Sequence, residues 1–355
     1  MNSEISGVDN NFSNLFKPEK DPQQREIINL SGYVEWEMLS KGVRGWLADI
    51  PARRMVLFPD ISPTEPGVVP TGVLAEIDMV AHPEWRKFIR GADIGCGMLG
   101  ADLPISQSDF QSNQQLLDNL FHSLKNDGLD ACFGGNHFVN FAAAADGRIF
   151  VLIHTGSYGD MQKKLSKLIE NPQAYDAQYL QTIQSGIITR QRILAKIEAQ
   201  YGRSSNLFDT VHNTIQIDSH AGVVKIYKGV VNVQSEGELQ ILPSSLSGRM
   251  IRYRAGMGSR LVGGTSHGTG RSVPRSQLNL EKEIYAELYG ELDLDGRIAG
   301  HRLDIMVPTG LRWPVTEIEA AYHDIGRSVE LLLQYQLASP GSIEYLTPIA
   351  GIKGE

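Results

Sequence analysis

A mixed α and β fold, without the strict alternation of a doubly wound sheet, is what this sequence predicts, and three observations predict it. Short apolar runs of strand length recur along the whole chain: RMVLFPD at 54–60, RIFVLIH at 148–154, TIQID at 214–218 and GVVKIYKGVVNV at 222–233. Helix-period segments lie between some of them but do not follow each in turn, so no regular βαβ order emerges. No internal repeat, heptad array or long low-complexity tract points to a solenoid or a coiled coil instead.

The elements follow from local chemistry. Residues 1–24, MNSEISGVDNNFSNLFKPEKDPQQ among them, are rich in Asn, Ser, Lys and Asp and are expected to be a mobile segment. Globular sequence begins near Ile27, and residues 25–355 are expected to form one catalytic body. The runs at 54–60 and 148–154 carry the β-branched and aromatic residues that suit a pleated, buried surface. QSDFQSNQQLLDNLFHSLKNDG predicts a helix starting at Ser108 or Asp109, both capping residue types, and stopping at Gly128. Residues 160–202 read as two or more helices broken near Asn171-Pro172, because proline fits only the first turn of a helix. PVTEIEAAYHDIGRSVELLLQYQLA (314–338) predicts a helix capped by Thr316 that presents Ile318, Tyr322, Ile325 and Val329 on one face.

Composition narrows the function. The chain has 355 residues, 41% hydrophobic and 21% charged, enough for one large or two ordinary domains. A net charge of −8 excludes a broadly basic nucleic-acid surface but leaves room for a basic patch inside a cleft. Two cysteines, Cys96 and Cys132, cannot build a disulfide framework and fit a reducing compartment. The N-terminus lacks the apolar core of a signal peptide, and no apolar run reaches bilayer length, so the expectation is a cytoplasmic protein without a membrane partner, a nuclear one being equally compatible.

The chemistry concentrates in short glycine-rich stretches. GADIGCGM at 91–98 sets Asp93 and Cys96 three residues apart among Gly91, Gly95 and Gly97. Of nine histidines, four sit in comparable settings: His137 in GGNHF, His154 in LIHTGSYG, His212 in VHNT and His267 in GGTSHGTGR. Singly, each reads as a hydrogen-bonded turn or core histidine. Together with Asp93 and Cys96 they contain the ligand types of a transition-metal site, and their number suits two neighbouring ions or one ion beside a reactive histidine. Ligand softness alone favours zinc, because thiolate and imidazole prefer it to manganese.

His267 differs from the others. Gly264, Gly268 and Gly270 surround it, with Arg271 and Arg275 downstream. Exposed backbone N–H groups and guanidinium forks are what a phosphate needs, and a histidine there can attack phosphorus or move a proton beside it. A glycine-rich surface turn with two solvated arginines accounts for the same residues. GMGSRL lacks the third glycine of a dinucleotide fingerprint, and no Walker-type loop, G-x-S-x-G elbow or paired CxxC site occurs.

Taken in order, FPDIS (58–62), GADIGCGM (91–98), GGNHF (134–138), HTGSYG (154–159), VHN (211–213), YKGVV (227–231), SHGTGR (266–271), AYHDI (321–325) and IKG (352–354) resemble the RtcB-type RNA ligases, enzymes that join RNA 3′-phosphate or 2′,3′-cyclic-phosphate ends to 5′-hydroxyl ends. Each stretch is short, but the ordered set runs from about residue 45 to the C-terminus. The resemblance implies a single α+β RtcB-like domain with central β-sheets flanked by helices, a helical insertion at about 160–202, and a deep metal-containing cleft. It implies two Mn2+ ions held by Asp93, Cys96, His137, His154 and His212, with His267 accepting the nucleotide from GTP. It implies nucleotide contacts from Asn136, Asn140, Ser245, Tyr322 and Lys353. Asp60, Lys228, Arg271 and Arg275 are placed around the RNA phosphates, with Asp60 also suited to orienting a reacting group. The implied partners are an RNA with 3′-phosphate or cyclic-phosphate and 5′-hydroxyl ends, and an archease-like activator.

The chain departs from the family pattern at substrate-facing positions. Asn140 replaces the glutamate that reads guanine, Tyr158 replaces an arginine, Ser62 replaces a histidine, and LPSSLSG (242–248) replaces a glycine-richer nucleotide loop. An amide accepts hydrogen bonds but lacks the carboxylate charge that pairs with two donors. Two alternatives to a GTP-dependent ligase therefore stand: a divergent nucleotidyltransferase with another base or acceptor, and a non-ligating, metal-stabilised RNA-binding relative. The presence of His267 argues against the last, since a binding module has no use for that nucleophile.

Overall fold

The computed structural model describes residues 16, 18–21, 23, 25–32, 47–62, 67–90, 92–133, 135–157, 160–272, 297–298, 305–309, 311, 313–314, 317 and 319–353. Most of the expected N-terminal segment, together with Tyr158, Arg275, Thr316 and Ile318, lies outside them.

The strands in chain order are β1 (Glu19–Lys20), β2 (Glu26–Asn29), β3 (Ala52–Ser62), β4 (Thr71–Asp78), β5 (Gly97–Ser106), β6 (Phe138–Ala144), β7 (Arg148–Thr155), β8 (Ser205–Val211) and β9 (Asn213–Asp218). They continue as β10 (Val223–Lys228), β11 (Val230–Val231), β12 (Leu239–Pro243), β13 (Met250–Arg254), β14 (Thr265–Ser266), β15 (Arg297–Ile298), β16 (Trp313–Pro314) and β17 (Glu344–Ile352). A six-stranded sheet runs β1-β2-β3-β4-β10-β9 and a seven-stranded sheet runs β12-β13-β17-β6-β7-β5-β8, with β11 paired to β14 and β15 to β16. All pairings are antiparallel except β2 with β3. The α-helices are α1 (Gln107–Gln111), α2 (Gln114–Asn126), α3 (Met161–Lys167), α4 (Pro172–Tyr201), α5 (Met257–Val262) and α6 (Ile325–Gln334). The protein is a mixed α+β structure, and all four expected strand runs are present. The glycine within GVVKIYKGVVNV splits that run, because Gly229 takes a left-handed φ of +63° between β10 and β11.

Both sheets are buried on two faces, which is why their central strands read as continuous apolar runs. On β3, Met55 and Leu57 join one core cluster with Trp85, Phe88 and Tyr179, while Val56 and Phe58 point the other way, toward Tyr253 and Leu332. On the seven-stranded sheet, Val139, Phe141, Val151 and Ile153 pack beneath Leu117, Leu120 and Leu124 of α2. The three leucines recur at helical spacing on one stripe.

Helix α4 joins the two cores. It spans 30 residues, about 45 Å at the standard rise. Tyr175 and Tyr179 near its start belong to the first sheet's core, and Ile193, Leu194, Ile197 and Tyr201 near its end belong to the second's. The expected break at Asn171-Pro172 is its N-terminus: Asn171 Oδ1 accepts from Ala174 N at 3.2 Å, and Pro172 occupies the first turn. Among the described residues, no helix is long and apolar enough to cross a membrane.

Two helix starts differ from expectation. The first is capped by Ser106, not by Ser108 or Asp109: its Oγ accepts from Asp109 N, and the helix breaks at Ser112–Asn113 before α2. The helix expected from Thr316 begins at Ile325, where Asp324 Oδ1 accepts from Arg327 N at 3.1 Å. Tyr322 is drawn off that helix by a β-bridge to Arg271.

Tyr179 links α4 to the edge strand β9, since its hydroxyl accepts from Ile215 N at 2.8 Å and donates to Ile215 O at 3.3 Å. Tyr179→Phe should lower stability by about 1–2 kcal/mol, seen as a reduced urea midpoint with an unchanged slope.

Candidate metal centre

Four neighbouring strands, β6-β7-β5-β8, deliver four ligand-type side chains to one end of the seven-stranded sheet. The register sets Phe138, His154, Met98 and Thr210 in one row across them. His137 immediately precedes β6, Cys96 immediately precedes β5, and His212 immediately follows β8, so all three gather beside His154. His212 is also the hinge between the sheets, because β9 of the other sheet starts at Asn213. Its N–H donates to Cys96 O at 3.0 Å and its C=O accepts from Val230 N at 3.0 Å. Asp93 is turned toward the same point by the bond from Cys96 N to Asp93 O, 2.9 Å.

The donor atoms converge. Cys96 Sγ lies 3.3 Å from His137 Nε2 and 3.3 Å from His154 Nε2. His154 Nε2 lies 3.4 Å from His212 Nε2, and His137 Nε2 lies 2.7 Å from Asp93 Oδ2. Two groups result, Cys96–His154–His212 and Asp93–Cys96–His137, each with its ligand atoms within 4.8 Å of one another and sharing the sulfur. Cys96, His154 and His212 are buried, whereas Asp93 keeps a third of its side chain exposed.

The chemistry of this set fits a metal. Burial holds His154 and His212 well below the ordinary histidine pKa, with neighbouring cationic groups adding to the effect, so both rings are neutral and offer lone pairs. His137 donates Nδ1–H to Cys132 O at 3.1 Å, which turns its Nε2 toward Asp93 and Cys96. Burial and the Asp93 carboxylate push the Cys96 thiol pKa up, so a bound cation is what would favour the thiolate. These buried Cys, His and Asp groups can bind a metal ion.

His267 stands against this centre. It follows β14, its ring centroid is 4.6 Å from that of His212, and its Nδ1–H donates to Asp60 Oδ2 at 2.6 Å. Gly270 allows the approach: a methyl group there would lie 2.8 Å from the Asp60 Cα. Asp60, on β3, is completely buried, with its Oδ2 turned to His267.

The other expected contacts divide. Asn136 is exposed in the turn before His137, and Lys228 is buried at the end of β10. Arg271 donates through Nη2 to the buried Glu317 and to the Tyr322 hydroxyl, at 2.8 and 2.7 Å, and stacks over the Tyr322 ring. Lys353 Nζ donates to the carbonyls of Gly135 and His137, at 2.6 and 2.9 Å, bracing the turn that carries His137. Asn140 is fully buried and donates Nδ2–H to Leu246 O at 2.9 Å; Ser245 Oγ accepts from Gly248 N at 2.8 Å. Several buried polar atoms nearby have no hydrogen-bond partner among the described residues: Asp60 Oδ1, Asn140 Oδ1, Ser244 Oγ, Ser266 Oγ, Thr269 Oγ1 and Arg271 Nη1.

Gln162 and Glu317 also belong to the site, though no sequence pattern points to them. Gln162 on α3 donates to Asp93 Oδ1 at 2.8 Å and Ile94 O at 2.6 Å, fixing the carboxylate. Neither carries a motif; only the fold brings them to the site.

Cys96→Ala removes the atom shared by both groups and should abolish most bound metal, measured by elemental analysis after dialysis. With the metal stripped, the folded protein should lose thermal stability as pH falls through 6.5, the ordinary histidine value. The sign follows from His154 and His212, which stay neutral in the fold while the unfolded chain takes up protons. A pH-independent melting temperature between mildly alkaline and mildly acidic buffer would contradict this.

Comparison with protein-family models yields no match, and comparison with curated proteins yields no significant one.

Proposed function

We propose that the protein is a metal-dependent RNA ligase of RtcB type, which joins RNA 3′-phosphate or 2′,3′-cyclic-phosphate ends to 5′-hydroxyl ends through a histidine–GMP intermediate. The reading takes two Mn2+ ions at the two donor groups, GTP as co-substrate, an archease-like activator and a cytoplasmic setting. The observation that carries it is the Asp60–His267 pair beside the metal centre, where the carboxylate holds Nδ1–H at 2.6 Å and leaves Nε2 as the nucleophilic nitrogen.

In this reading Nε2 of His267 attacks the α-phosphorus of GTP, and the bond to the pyrophosphate oxygen breaks with its electron pair leaving on that oxygen. Asp60 stabilises the positive charge that develops on the imidazole and keeps its tautomer, the role a buried carboxylate plays behind a catalytic histidine. Cys96, His154 and His212, and Asp93, Cys96 and His137, would hold the metal, which would supply Lewis-acid stabilisation of charge on the phosphate oxygens. An RNA 3′-phosphate oxygen then takes GMP from His267 and restores the free nitrogen. The 5′-hydroxyl oxygen attacks the activated RNA phosphorus, its proton passing to solvent, and GMP leaves with the electron pair of the broken P–O bond; a 2′,3′-cyclic-phosphate end is first opened to the 3′-phosphate by water. The buried polar atoms without partners around His267 are suited to a polar ligand of this kind, Ser266 and Thr269 from its own loop and Arg271 just beyond.

One observation favours a second reading, a nucleotidyltransferase with another base or acceptor. Asn140 has committed its Nδ2 to Leu246 O, so it would offer a base a single acceptor oxygen, where a carboxylate would take two donors.

Incubation with Mn2+ and α-labelled GTP or ATP tests both. Wild type should acquire acid-labile label, His267→Ala none, and Asp60→Asn should label more slowly by about 10²- to 10⁴-fold. Label with joining of a 3′-phosphate/5′-hydroxyl RNA supports the ligase; label without joining supports the second reading; no label with either nucleotide overturns both.

A further inference from the structure

We infer that Arg190 is the positioning residue of the buried Cys96–His154–His212 group, holding its three ligand-bearing segments at one spacing. The inference rests on the metal-centre reading and is independent of RNA joining.

Arg190 lies on α4 and is completely buried. Its Nη1 donates to Gly95 O at 2.9 Å and to Thr155 O at 2.8 Å, and its Nε donates to Asp209 Oδ1 at 2.7 Å. Gly95 precedes Cys96, Thr155 follows His154, and Asp209 lies on β8 three residues before His212. One guanidinium therefore touches every segment that supplies a ligand to the group. Those segments come from three separate strand ends, and the backbone bond between His212 and Cys96 does not reach β7.

The surrounding residues are shaped for this contact. A methyl group at Gly186 of α4 would lie 2.5 Å from the Gly95 carbonyl oxygen, so the helix reaches the metal loop only because both residues are small. A methyl group at Gly97 would lie 2.9 Å from Arg190 Cζ and Nη2 and 2.2 Å from Thr210 O. The glycines flanking Cys96 make room for α4 and its arginine.

Charge does not explain the residue. A guanidinium close to a cation site opposes cation binding, and Asp209, 2.7 Å from its Nε, offsets that charge. What the guanidinium contributes is a rigid planar fork whose donors meet acceptors on different segments at fixed angles. Lysine, with one flexible ammonium, has the charge without the fork.

Co2+ titration of the metal-free protein tests this, because cobalt bound to a cysteine thiolate shows a near-ultraviolet charge-transfer band. Arg190→Lys should bind Co2+ about ten- to hundredfold more weakly, as for other residues that orient metal ligands, with an altered band. Cys96→Ala, which lacks the thiolate, should show no band. Wild-type affinity and an unaltered band in folded Arg190→Lys overturn the inference alone. If Arg190→Lys fails to fold, Asp209→Ala, at the partly exposed end of the contact, decides: weakened Co2+ binding supports the inference and unchanged binding overturns it. Absence of Co2+ binding by the wild type overturns the metal reading and this inference with it.

Discussion

Cys96 Sγ stands 3.3 Å from two imidazole nitrogens in a pocket where the surrounding chain excludes water, and this crowding of donors constrains the whole architecture. Lone pairs that face one another without a proton or a cation between them repel, and a low-dielectric interior does little to screen that repulsion. Such a cluster forms only if the scaffold holds it. Here the scaffold is the antiparallel register of four adjacent strands, which puts one row of residues at a common height and leaves the chain no freedom to spread the ligands. A cation held between these donors would replace that repulsion with attraction.

The second sheet supplies what the first cannot. His212 closes β8 and opens β9, so the backbone passes from the ligand sheet into the sheet that holds Asp60. His267 is then brought against His212 by the short pairing of β11 with β14. The metal groups and the histidine–carboxylate pair are thus built on different sheets and meet at one seam. Helix α4 crosses that seam, with Tyr175 and Tyr179 in one core and Ile193, Leu194, Ile197 and Tyr201 in the other. Displacing the helix would disturb both halves together, which links core packing to ligand geometry through Arg190.

Local readings succeeded where the chemistry is local. The strand runs were legible because apolar, β-branched residues alternate between two buried faces. The break before Pro172 was legible because a proline lacks the N–H that a helix interior requires. Helix starts were less legible, since Ser106, Ser108 and Asp109 are all capable caps and only the end of β5 selects the first. The helix expected from Thr316 starts only at Ile325 for a tertiary reason: Tyr322 bridges to Arg271, 51 positions away, and that pairing excludes it from the helix.

The sequence by itself determined the donor inventory: a thiol, a carboxylate and imidazoles set among glycines, on a chain of mixed strand and helix character. Tertiary structure decided which of these meet. Asp60 finds His267 across 207 residues, and Arg190, an ordinary arginine on an apolar helix stripe, finds two carbonyls and a carboxylate on three separate segments. The physical reason is that side-chain type sets what an atom can bond, while only the register of distant strands sets the distance at which it does so.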